Sequence, residues 1–317
     1  MKEFIIQTNE AGQRLDKYLK KRLPNASSAF LYKMLRKKNI TLNGKKALGK
    51  EGLIQNDVIR MFFSDETYAK FSADSGELLL EYETLKELPM KGIKILFEDE
   101  HIIACYKPAN MLSQKASPRD LSANEYLIGY LIRKGELSFS EFLTFRPSVC
   151  NRLDRNTTGI LLAGKSLHGL QKLSADLKDR NMKKYYHTIV AGQVTKPQHL
   201  EGYLWKNEKN NQVEISKTKN HPQAQWIETS YKPLKMNDLC TLLEVHLITG
   251  RSHQIRGHLA SINHPVIGDL KYGNPKVNQV FKEKYHVQHQ LLHASRVEFP
   301  DQSVIVAPDP DIFSLIL

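Results

Sequence analysis

The chain has 317 residues, 41% of them hydrophobic, and 46 Lys and Arg against 34 Asp and Glu give it a formal charge of +12. That length suits about two domains, each able to bury a core, and the charge points to a polyanionic partner, nucleic acid before an anionic membrane surface, because clustered cations release counterions on meeting phosphates. No run approaches the roughly 20 apolar residues of a membrane span, the N-terminus lacks a signal peptide's uninterrupted apolar core, and Cys105, Cys150 and Cys240 lie too far apart for a C-x-x-C pair. The expectation is a soluble protein of the reducing cytoplasm, with no membrane partner.

Residues 1–64 carry 14 Lys and Arg against 5 Asp and Glu, so most of the charge excess sits there. Leu15, Tyr18, Leu19 and Leu23 form one apolar stripe of a helix. A second helix, capped by Ser27 or Ser28, repeats the pattern with Leu31, Met34 and Leu35 beside Lys33, Arg36, Lys37 and Lys38. ITLNGKKA follows, in which Asn43-Gly44 suits the positive φ of a hairpin turn. Over about residues 12–63 this order resembles the RNA-binding domain named after ribosomal small-subunit protein four, the S-four domain. It departs from that pattern at Ser28, where Arg is usual, and at Lys38, where Gly is usual. The resemblance implies RNA contacts from Arg14, Lys17, Lys33, Arg36, Lys37, Asn43 and Lys45.

Residues 65–92 are mixed in charge and read as a connector with a short strand at the apolar patch Leu78–Leu80. In 93–317, IKILFED, HIIACYKP, GILLAG, YYHTIVAGQV and TLLEVHLIT read as strands and SLHGLQKLSADLKD as a helix. Their irregular alternation predicts an α+β domain with a mixed, largely antiparallel sheet.

GILLAGKS, 159–166, satisfies the phosphate-loop pattern G-x-x-x-x-G-K-[ST]. A phosphate loop needs a buried strand before its first glycine, but Asp154 to Thr158 are all polar, and the apolar run occupies the loop positions themselves. The segment therefore reads as a strand, with Ser166 capping the next helix. What remains is Asp154 between Arg152 and Arg155, two cations that would hold it ionised. A second cluster, TGRSHQIRGHLASINHPVIGDLKYG at 249–273, packs Arg251, His253, Arg256 and His258 into eight positions and can grip phosphates or pair with a carboxylate. Among the twelve histidines there is no H-E-x-x-H, His253 and His258 diverge on a helix, and His286 and His289 have no carboxylate or cysteine between them, so no metal is expected.

VCNRLDRNTTGILLAGKS resembles the R-L-D-x-x-T-S-G-[L]-L signature of the RluA-like pseudouridine synthases, which modify large-subunit ribosomal RNA and related transfer RNAs. YKPANMLSQ, KKYYHTIVAG, the 249–273 cluster and HQLLHASRVEF follow that family's order. The resemblance implies a cofactor-free enzyme, a monomer, that detaches uracil from ribose, turns it over and rejoins it through carbon five. Asp154 matches the essential aspartate, Tyr186 the tyrosine stacked on the base and Arg256 the arginine paired with the aspartate, while Arg152, Arg155, Arg251 and His253 would bind substrate. Large-subunit ribosomal RNA is the expected target and transfer RNA the second. A noncatalytic RNA-binding or ribosome-assembly protein is the alternative from another class, which would not require that trio.

Overall fold

The computed structural model describes residues 1–72, 75–207 and 210–317. The first 63 residues hold β1 (Lys2–Ile5), α1 (Leu15–Arg22), α2 (Ser28–Arg36), β2 (Ile40–Leu42), β3 (Lys45–Lys46) and β4 (Val58–Met61). The four strands make a sheet of their own in the order β1-β4-β2-β3. Leu15, Tyr18, Leu19 and Leu23, the stripe of the first helix, are fully buried beneath it together with Leu31 and Leu35 of the second. Ser27 is the cap of α2, its Oγ accepting from the Phe30 amide. Asn43 and Gly44 both take positive φ, so the Asn-Gly turn joins β2 to β3 as its chemistry requires. Lys38 also sits at positive φ, 59°, a conformation glycine adopts without cost, at the position where the S-four pattern usually has one.

The connector is helical, which corrects the expected strand at Leu78–Leu80. It contains α3 (Asp65–Phe71), capped by the Ser64 hydroxyl, and α4 (Ser75–Lys86). Leu79 and Leu80 are exposed, and the contacts come instead from Tyr82, Leu85 and Leu88, three apart, which pack on the helix that follows the second strand of the larger sheet. A dense apolar patch suggested a strand, but the three-residue spacing beyond it decides the packing.

The remaining elements are β5 (Lys94–Glu98), β6 (Ile102–Lys107), α5 (Ala123–Lys134), α6 (Phe139–Phe142), β7 (Ser148–Val149), β8 (Thr158–Gly164), α7 (Leu167–Lys178) and β9 (Lys183–Ala191). They continue with β10 (Gln198–Asn207), β11 (Gln212–Ser216), β12 (Gln225–Met236), β13 (Cys240–Leu247), α8 (Gln254–Ser261), α9 (Pro275–Tyr285), β14 (Leu292–Glu298), β15 (Val304–Val306) and α10 (Asp311–Ile316). One large sheet runs β11-β10-β12-β13-β9-β14-β8-β6-β5, with β7 on β8 and β15 on β14. Only the β14–β8 pairing is parallel, so among the described residues the sheet is mixed and largely antiparallel.

GILLAG lies in β8, in the middle of this sheet, where it is buried on both faces. Leu161 meets the core shared with α5 and α8, and Ile160 and Leu162 meet the one under α7. Burial on both sides explains the unbroken apolar run that imitated a phosphate loop. Ser166 caps α7, and Lys165 is bound to Glu98, Glu136 and the Asp99 carbonyl, so it is spoken for.

Among the contacts that join the small sheet's module to the rest, the Leu167 amide donates to the Asn9 carbonyl at 3.2 Å and two others centre on Arg22 and Glu10. Arg22 donates to Ser140 Oγ at 2.8 Å and lies 3.7 Å from Glu10, which also accepts from the Thr144 hydroxyl. Burial pushes the Glu10 carboxyl above its usual range, and Thr144, Gln7 and Arg22 pull it back.

Candidate active site

The turn after Leu153 carries Asp154, and its position is set from below by the segment 106–114. Ser113 Oγ donates to the Leu153 carbonyl at 2.9 Å and accepts from the Leu153 amide at 3.0 Å. Lys107, fully buried at the end of β6, spends its ammonium on the carbonyls of Pro108, Met111 and Arg155. Burial drives Lys107 down to about 7, against the pull of Asp154. Gly159, φ 110°, closes the turn: a Cβ there would lie 2.2 Å from the Ala294 carbonyl oxygen, so only glycine lets β8 approach β14.

From the other side α8 brings Arg256. Its Nη1 donates to Asp154 Oδ2 at 2.7 Å, while Nε and Nη2 fork onto the two oxygens of Asp269 at 2.6 and 2.8 Å. Arg256 is 5% exposed and Asp269 is fully buried. Burial works against both charges, yet the fork overrides it, raising Arg256 above and holding Asp269 below their ordinary values. The Arg256 guanidinium also lies 5.1 Å from the centre of the Tyr272 ring. Arg152 and Arg155 form no hydrogen bond or ion pair with Asp154 among the described residues. The cation that grips Asp154 comes from 102 positions away, contrary to the reading from its neighbours.

His253, at φ 56°, opens α8, with Nδ1 on the Tyr272 hydroxyl at 2.8 Å and Nε2 3.9 Å from Asp154. Burial lowers its pKa, opposed by Asp154. Gln254 ties the turn before it, donating to the Glu228 carbonyl and Thr229 Oγ1 and accepting from Thr249 Oγ1 and the Arg251 amide. Gly257 lets α8 seat closely, since a Cβ there would meet Val213 at 2.9 Å and Ile215 at 3.0 Å. Tyr186, on β9, is 6% exposed, and burial, then Asp154, pushes its hydroxyl well above the usual range.

All seven residues singled out for catalysis and substrate binding, Arg152, Asp154, Arg155, Tyr186, Arg251, His253 and Arg256, line one cleft of about 1030 Å³. Arg180, Lys184 and Lys206 line it too. Lys184 is desolvated, which with Arg180 lowers its pKa. Such a cleft can place one fixed carboxylate beside a buried aromatic face while cations surround a polyanion.

The residues assigned to RNA on the small module lie apart from the cleft lining. Lys17, Lys33, Arg36, Lys37 and Lys45 are exposed. Arg14 is paired with Asp16, and Asn43 binds Asp57 and the Val58 amide, which fixes the hairpin. Sequence reasoning passed over Lys107, Gln254 and Asp269. A lysine ending an apolar strand and an aspartate two residues before Lys271 were the only local signals.

The family model described as RNA pseudouridylate synthase matches residues 101–261, about half of the chain. An uncharacterized RNA pseudouridine synthase of Mycoplasma genitalium is 30% identical over 304 residues, covering 94% of this chain and 89% of the relative. The ribosomal large subunit pseudouridine synthase C of Vibrio cholerae is 28% identical over 300 residues, covering 94% and 88%. Among solved structures, human RNA pseudouridylate synthase domain containing 4 aligns with a TM-score of 0.57 at 20% identity over 74% of this chain and 95% of that one, a likeness of fold. The chain belongs to the RNA pseudouridylate synthase family and is an isomerase acting on RNA. No described helix is long and apolar enough to cross a membrane.

Proposed function

We propose that this chain converts specific uridines of large-subunit ribosomal RNA to pseudouridine in the Asp154 cleft, acting as a monomer. The target is supported by the name of the Vibrio cholerae relative. The observation that carries the site is the 2.7 Å bond from Arg256 to Asp154 in the wall of the cleft that Tyr186 also lines. In the reaction the bond from ribose C1′ to uracil N1 breaks, one from C1′ to C5 forms, the C5 proton leaves and N1 gains one. The exchange is redox-neutral and calls for no cofactor. Asp154 supplies the anion, either attacking the sugar or assisting removal of its proton. Tyr186 holds the base and handles the C5 proton. Arg256 fixes the carboxylate, and Arg152, Arg155, Arg251 and His253 hold the flanking nucleotide.

Reaching the glycosidic bond means extruding the base at a cost of a few kcal/mol, which phosphate contacts offset. Residues 1–64 are the S-four-type RNA-binding domain that supplies them, 65–92 the connector and 93–317 the catalytic domain. The separate sheet, the exposed cations and the left-handed Lys38 support that division. RNA tritiated at uridine C5 should lose its label to water without release of free uracil, and pseudouridine maps of cells lacking the protein should lose large-subunit sites. Free uracil would make the enzyme a glycosidase, losses confined to transfer RNA would move the target, and an unchanged map with no label release would leave only RNA binding.

A further inference from the structure

On the face of the large sheet turned away from the core, β10 and β12 place three metal-ligating side chains together. Leu200 and Gly202 turn inward, so His199 and Glu201 turn outward, and across the ladder Glu201 lies opposite Glu228 while His199 lies opposite Ser230. Like charges directly opposite each other weaken a strand pair, and among the described residues no Lys or Arg pairs with Glu201 or Glu228. His199 Nε2 lies 3.0 Å from a Glu228 oxygen and 3.3 Å from a Glu201 oxygen, and one ligand atom from each of the three falls within 4.8 Å of the others.

We infer that His199, Glu201 and Glu228 form a binding site for a divalent transition-metal ion, with zinc the best match. A tetrahedral ion with bonds of about 2.0–2.1 Å holds its ligand atoms about 3.3 Å apart, close to the 3.3 and 3.0 Å that already separate His199 Nε2 from the Glu201 and Glu228 carboxylate oxygens. The imidazole must offer the Nε2 lone pair, which requires its proton on Nδ1, and Ser230 Oγ stands 2.6 Å from Nδ1 to accept it. One nitrogen and two carboxylate oxygens favour zinc over magnesium, which prefers oxygen ligands and keeps its waters. The three side chains are partly exposed, so solvent completes the coordination. The ion neutralises the opposed glutamates and ties β10 to β12. The site is separate from the Asp154 cleft, none of whose lining residues it shares, and it stands whatever RNA the enzyme modifies. It revises the expectation of a metal-free protein.

Zinc titrated into the full-length, RNA-free protein should bind with one more equivalent in the wild type than in His199→Ala or the near-isosteric Glu201→Gln. At about 100 µM, enough to saturate a micromolar site, zinc should raise the Tm of the wild type and not of the variants. Ser230→Ala should weaken binding by about tenfold, as removal of a supporting hydrogen bond does. Label release should be unchanged in both ligand variants and in chelator. Equal stoichiometry and equal Tm shifts in wild type and both variants, or no zinc bound by the wild type, would overturn the assignment. Unfolding of the metal-free Glu201→Gln protein guards against a folding defect in His199→Ala.

Discussion

On the small N-terminal module Lys17, Lys33, Arg36 and Lys37 stand in solvent with no carboxylate partner among the described residues, whereas in the cleft Arg256 is buried between Asp154 and Asp269. Exposed cations act at a distance, are screened by salt and can meet many phosphates. The buried arginine is committed: two bonds to Asp269 hold it, and the third fixes the Asp154 carboxylate in one orientation. On the proposed function, the difference separates affinity from chemistry within one basic protein.

The sharpest way to break that separation is Asp154→Asn. It keeps the size of the side chain and an acceptor for Arg256 but removes the anion, so label release should fall by at least about a thousandfold with RNA affinity nearly unchanged. Activity within tenfold of wild type would show that the carboxylate is no reacting group.

Next in size is Asp269→Asn, which leaves Arg256 short of charge compensation in the interior. Urea unfolding should show a loss of about 3–5 kcal/mol, the usual result of breaking a buried pair from one side. Unchanged stability would mean that the fork is no more committed than a surface pair. On the exposed side, replacing Lys33, Arg36 and Lys37 together by Gln should lower the slope of log affinity against log salt by about 0.7–0.9 for each phosphate that is no longer neutralised. Turnover on saturating RNA should hold, and an unaltered slope would assign that face to something other than RNA.

The smallest effect concerns His258, buried on α8 with Nδ1 3.0 Å from Thr229 Oγ1. Burial depresses it to about 4 from an ordinary 6.5. Between those values the unfolded chain binds more protons, so the neutral ring's contribution is complete above pH 6.5 and is lost as pH falls towards 4. Stability measured against pH should therefore fall less steeply in that window for His258→Gln than for wild type. Parallel curves would place the acid sensitivity elsewhere.

The helices of the small module were legible because Leu15, Tyr18, Leu19 and Leu23 state a helical period that nothing contradicts, and the Asn43-Gly44 turn was legible from φ alone. In the larger sheet β6, β8, β9 and β13 announced themselves as apolar runs because their neighbours bury them. The long pair β10 and β12 did not: with one face open to solvent, their outward His, Glu and Ser residues interrupt any apolar run. The seven cleft residues could be named from motifs. The pairing of Asp154 with Arg256, 102 positions apart, was given by the family resemblance and not by spacing, whereas the fork of Arg256 onto Asp269 belongs to the tertiary structure, since no motif pointed to that aspartate. Lys107 was invisible because its task is to satisfy backbone carbonyls, which no side-chain pattern records.

Ala294 of β14 pairs with Gly159 on one side and with Tyr186 on the other. The strand that continues from Asp154 and the strand that bears Tyr186 are therefore two ladder steps apart, about 9.6 Å. Peptide geometry is the gauge block for this cleft, and it has no adjusting screw. Substituting side chains can change what the two walls do, but their pitch is machined into the backbone, and the bare α-carbon of Gly159 is the clearance that keeps it.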